Sequence, residues 1–136
     1  MGAFSFIDRI AEVKKNETLT AFYTLKGSEE FLKDHFDGFP VMPGVLLLET
    51  LAQAASKLLV LSKDTHGDFF RLVSVGEVKF GQFIKPGSEL KIVVRLLKKE
   101  GCFRSFEGRI DWVNDPENRL PKKALTANLT LGPLAE

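Results

Sequence analysis

His35, Glu49 and the proline-bounded loop between them are the parts of this sequence best suited to chemistry. His35 opens the run His35-Phe36-Asp37-Gly38-Phe39-Pro40-Val41-Met42-Pro43-Gly44. Its two prolines fix φ and remove two backbone donors, so the loop is stiff and suited to holding an imidazole in place. Glu49 stands among Leu46, Leu47, Leu48 and Leu51. A carboxyl in such company loses hydration, which favours its protonated form and equips it to donate a proton near neutral pH. Pro43 fits the first position of a helix, and the amides that follow, beginning with Gly44, then point out of the helix start. Free N–H groups there, aided by the helix dipole, suit a negative charge developing on a carbonyl oxygen. A held imidazole, a desolvated carboxyl and an amide-lined helix start are parts of one acid–base site, suited to removing a proton next to a carbonyl. Plainer readings stand beside this one: His35 as a packed loop residue, Glu49 paired with Gln53 or Lys57, and His66, between Thr65 and Gly67, as a solvated loop residue.

These residues need a helix to carry them. At about 100° per residue, Glu49, Thr50, Gln53, Ser56 and Lys57 of the stretch Val45 to Leu61 fall within an arc of roughly 120°, and the positions outside that arc are apolar. So wide an apolar surface needs cover on more than one side, which predicts a central helix. Glu49 and Lys57 interrupt the stretch short of the ~18 uncharged residues of a membrane span. Period-two alternation marks strands on both sides: Leu19, Ala21, Tyr23 and Leu25 before the helix; Phe106, Ile110 and Trp112, then Leu125, Ala127, Leu129 and Leu131 after it. Asp64 to Asp68 reads as a polar turn. Pro86-Gly87, Glu100-Gly101 and the loop from Asn114 to Pro121 read as breaks between strands. The expected plan is α+β: two strands, a loop with a long buried helix, then three or four strands, forming one antiparallel sheet around one helix. No βαβ alternation and no glycine-rich strand-to-helix loop is present, which argues against a nucleotide-binding fold.

Composition narrows the class. With 136 residues, 44% of them hydrophobic and 27% charged, the chain is expected to form one domain over residues 1–136. Nineteen basic against 18 acidic residues give a formal charge of +1, too small to draw the chain to nucleic acid or an anionic membrane. Twelve Phe against one Tyr and one Trp point to purely apolar linings, fit for an apolar slot that takes the rest of a substrate. Cys102 is the only cysteine, and Met1 to Arg9 lacks a signal-peptide layout, so a reducing, cytoplasmic setting is expected.

The run from His35 to Gln53 resembles the histidine loop and central helix of the 3-hydroxyacyl-acyl-carrier-protein dehydratases, hotdog-fold enzymes of bacterial fatty-acid synthesis. Phe6 to Ile10 resembles the family's first strand, and Val78-Lys79-Phe80 through Leu90 a later strand and turn. The resemblance implies a hotdog fold and a homodimer with two shared active sites; members of the family often assemble such dimers further into trimers of dimers, and the sequence leaves dimer or hexamer open. It makes His35 the base that takes the C2 proton of a 3-hydroxyacyl thioester and Glu49 of the second protomer the acid that protonates the departing 3-hydroxyl. Gly44 becomes the amide that binds the thioester carbonyl and Gln53 a support for Glu49. The product would be a trans-2-enoyl thioester, with no metal or redox cofactor, and an acyl-carrier protein would deliver the chain on a phosphopantetheine arm. Asp34 and Asp37 flank His35 where the family usually has Gly and Pro, so a catalytically silent acyl-thioester-binding protein is an alternative, as is a hotdog thioesterase. Gly81-Gln82 replace common basic residues, leaving coenzyme A open as the carrier.

Overall fold

The computed structural model describes residues 5–26, 44–64, 70–81, 84–114 and 122–133. Their elements are β1 (Arg9–Lys14), β2 (Thr18–Thr24), α1 (Gly44–Leu61), β3 (Phe70–Phe80), β4 (Glu89–Glu100), β5 (Phe103–Trp112) and β6 (Lys122–Pro133). The six strands form one sheet in the order β1-β2-β4-β5-β6-β3, every pair antiparallel. The strands that flank the helix in sequence therefore lie far apart in the sheet. Helix α1 spans the distance and packs against β2, β3, β4, β5 and β6.

Alternation puts one face of each central strand on the helix. Leu19, Ala21 and Tyr23 of β2, Ile92 and Val94 of β4, Phe106 and Ile110 of β5, and Leu125, Ala127, Leu129 and Leu131 of β6 are all buried. Gly108 of β5 faces the helix, and a Cβ there would lie 2.9 Å from both methyls of Leu51. A side chain there would push helix and sheet apart. The helix is long and apolar enough to cross a membrane by length and composition alone. Its apolar positions are instead directed at the sheet: Leu47, Leu51, Ala54, Ala55, Leu58 and Leu59 are all buried.

Four local expectations need correction. Thr50 is not on the solvated arc: it is fully buried, and its hydroxyl donates to the carbonyl of Leu46 at 2.8 Å, the intrahelical bond that lets a threonine enter a core. The uncovered stripe is not wholly polar, since Val45 (69% exposed) and Val60 (52%) share it with Glu49 and Gln53. The first strand begins at Arg9 rather than Phe6. Asp64 is no solvated turn residue. It is buried, accepts from Arg104 Nε at 2.8 Å and Nη2 at 3.2 Å, and also pairs with Lys99 at 3.2 Å. The Arg104 hydrogen bonds hold the Asp64 carboxyl below the usual carboxylate range, and Asp64 in turn raises the guanidinium above its own ordinary value. Arg104 also donates to the carbonyls of Gly101 and Phe103, so this network ties the helix C-terminus to the β4–β5 hairpin. The rest of the expected polar turn, and His66 with it, lies outside the described residues.

The two sheet edges differ. β1 presents Arg9, Glu12 and Lys14 to solvent. β3 presents Val73, Val75 and Phe80, and its pairing with β6 is interrupted between Leu72 and Ser74 and again between Gly76 and Lys79. Glu77, inside the second interruption, has φ of 52°, a value non-glycine residues rarely take.

Candidate active site

The helix start is where the sequence places carbonyl binding, and Gly44 is the first helical residue. The first four amides of an α-helix have no partner within the helix, and the first turn of α1 carries no acidic side chain to answer the positive end of its dipole. The Phe80 ring of β3 lies directly over Gly44: a Cβ there would stand 2.6 Å from Cε1 and 2.9 Å from Cζ. Glycine is thus required for the edge strand to bring an aromatic ring onto the helix start.

About one and a half and two and a half turns further on, Glu49 and Gln53 are both half-buried on the uncovered stripe. Gln53 Nε2 donates to Glu49 Oε2 at 3.3 Å, the i,i+4 geometry of neighbouring helical turns. The backbone N–H of Phe6 donates to Gln53 Oε1 at 2.8 Å. Of the two alternatives for the Glu49 carboxylate, the one found is Gln53, while Lys57 is exposed. Glu49 is also less enclosed than its leucine neighbours suggest, because Leu47 and Leu51 turn into the core.

The structure therefore brings together Gly44, Glu49 and Gln53 along one helix. His35, its flanking Asp34 and Asp37, and Pro43 lie outside the described residues. Sequence reasoning passed over two participants. Phe80 was legible only as part of a strand, and its contact with Gly44 depends on where the far edge of the sheet falls. Phe6 contributes a main-chain group, which no side-chain pattern reveals.

A second concavity, of about 920 Å³, lies on the opposite face of the sheet, lined in part by Lys91, Arg95, Glu107, Arg109 and Asp111. Two pairs of its charges answer one another, Arg95 with Glu107 at 2.8 Å and Arg109 with Asp111 at 2.9 Å. It is an open, largely charged surface on the side of the sheet away from the helix.

A sheet wrapped on one helix in this strand order is the hotdog fold, the class that fold and site define. In line with it, one chain of the dehydratase heterocomplex ApeI:P from Xenorhabdus doucetiae superposes with a TM-score of 0.74 at 20% identity, covering 100% of this chain and 87% of that one. The profile of the ApeI-like family, described as ApeI dehydratase, matches residues 11–113, and the chain belongs to that family of dehydratases. Curated relatives agree. The 3-hydroxyacyl-[acyl-carrier-protein] dehydratase FabZ of Levilactobacillus brevis is 39% identical over 94 residues, covering 69% of this chain and 64% of the relative, just under two thirds of its length. FabZ of Coxiella burnetii is 37% identical over 109 residues, covering 78% of this chain and 77% of that one.

Proposed function

We propose that the protein dehydrates 3-hydroxyacyl thioesters, carried on an acyl-carrier protein, to trans-2-enoyl thioesters in fatty-acid synthesis. The observation that carries this reading is Glu49, held by Gln53 at 3.3 Å on the uncovered stripe of a helix that begins at Gly44. The thioester carbonyl accepts from the Gly44 amide, which makes the C2 proton more acidic. His35 takes that proton, the C2–H electron pair becomes the C2=C3 bond, and the C3–O bond breaks. Glu49 delivers its proton to the departing hydroxyl, which leaves as water. Both atoms and charge balance with no cofactor.

The working unit is a homodimer joined at β3. Val73, Val75 and Phe80 on one edge, with Val45 and Val60 on the helix, make an apolar surface that a second copy covers. In that dimer His35 of one protomer works with Glu49 of the other. One domain over residues 1–136 and a cytoplasmic setting complete the reading.

The test is turnover of 3-hydroxyacyl thioesters of graded length on acyl-carrier protein and on coenzyme A. Enoyl formation is expected, lost by roughly 10²–10⁴-fold in His35→Ala and in Glu49→Gln, and partly restored when the two variants are mixed. Full activity in His35→Ala overturns the reading. Release of free thiol without an enoyl product assigns a thioesterase instead, and binding without turnover assigns a silent acyl carrier.

A further inference from the structure

We infer that the N-terminal segment is part of the acid machinery: the backbone N–H of Phe6 fixes the orientation of the Gln53 amide and thereby leaves Oε1 of Glu49 as the oxygen that carries the transferable proton. This rests on the reading of Glu49 as the acid.

The argument turns on which groups can only donate. A glutamine amide has a donor end and an acceptor end, and isolated it can be turned either way. A backbone N–H has no such freedom. Because Phe6 N–H lies 2.8 Å from Gln53, the amide must present its oxygen there, and its Nε2 is then directed at Glu49 Oε2 at 3.3 Å. Turned over, the amide would set donor against donor at Phe6 and acceptor against acceptor at Glu49. With Oε2 accepting from Gln53, a proton on Glu49 belongs on Oε1.

The donor itself is rigidly held. Phe6 is 1% exposed, and its ring meets Tyr23 edge-on with centroids 5.7 Å apart and planes at 88°. Two residues on, Asp8 N–H donates to the carbonyl of Phe22 at 2.8 Å, and the Asp8 carboxylate accepts from Thr24 N–H at 2.8 Å. A segment anchored in this way to β2 delivers a fixed N–H to a side chain on the helix. Phe6 and Gln53 are accordingly positioning residues, acting through Glu49.

Two variants isolate the relay. Replacing Phe6 by phenyllactate turns its amide into an ester, which deletes the N–H and keeps the ring; Gln53→Leu keeps the bulk and removes the amide. Each is expected to lower kcat roughly ten- to a hundredfold with KM within about twofold, because the binding groups at Gly44 are untouched. A second readout, independent of turnover, is the orientation of the Gln53 amide, reported by its side-chain NH₂ signals in ¹⁵N-resolved NMR. These should shift on Glu49→Gln and on the Phe6 ester alike. Unchanged NH₂ signals and unchanged kcat in the ester variant overturn the inference while leaving the dehydratase reading in place. Full activity in Glu49→Gln overturns both.

Discussion

The two ends of helix α1 are built on opposite principles. At its C-terminal end Asp64, Arg104 and Lys99 form a closed charge network, with both side chains of the central pair only 8% exposed and the guanidinium's other donors on the carbonyls of Gly101 and Phe103. Toward its N-terminal end Glu49 and Gln53 are half-buried, Val45 is exposed, and an aromatic ring from the edge strand rests on a residue with no side chain. One end satisfies its polar groups within the chain and holds the hairpin in place. The other keeps its groups accessible, as a site must if a substrate and a second copy are to complete it. On the proposed function, stability and chemistry are separated along a single helix, so damage at one end should be felt differently from damage at the other.

Arg104→Ala is the harshest test of that separation. It takes the paired guanidinium from a buried carboxylate, leaving Lys99 facing it, and should cost about 3 kcal/mol in denaturant unfolding, the low end for a broken buried pair, whereas Asp64→Leu with Arg104→Met should recover most of the loss. An Arg104→Ala protein of unchanged stability would break the comparison. Gly44→Ala tests the other end. Its Cβ would meet the Phe80 ring at 2.6 Å and drive it off the helix start, so kcat/KM should fall roughly ten- to a hundredfold while the unfolding midpoint barely moves. The smallest effect is the acid response of the closed end. The native Asp64 pKa is lowered by Arg104, so its contribution is fully present above the unfolded value of about 4 and is lost as pH falls through the lower native value. Relative to Asp64→Asn, the wild-type chain should lose stability below about pH 4 with a slope no steeper than about 1.4 kcal/mol per pH unit. A slope appearing near neutrality would place the titrating group elsewhere.

Much of this architecture can be read from periodicity. Leu19, Ala21, Tyr23 and Leu25 are buried as their alternation predicts, and so are Leu125, Ala127, Leu129 and Leu131, because half-covered strands impose a two-residue repeat. The helix and its central place are legible for the same reason, and helical spacing narrows the partner of Glu49 to Gln53 or Lys57, of which the structure holds Gln53. What escaped depends on contacts distant in sequence. Thr50 looks polar and is buried because it can bond to its own backbone; Asp64 looks like a turn residue until β5 supplies Arg104; Phe6 acts through a main-chain N–H. None of these leaves a periodic trace.

The interruptions in β3 carry a consequence for how this molecule tells itself from other proteins. An exposed strand bearing valines would ordinarily offer any passing segment a row of evenly spaced hydrogen-bonding groups. Here that row is broken between Leu72 and Ser74 and between Gly76 and Lys79, with Glu77 turned into a left-handed conformation. A straight foreign strand finds the spacing wrong within a few residues, while a copy related by a two-fold axis brings the same breaks with it. In the proposed homodimer the irregular edge would work as a password, permitting assembly of the chain with its like and discouraging the indiscriminate stacking that leads to fibres.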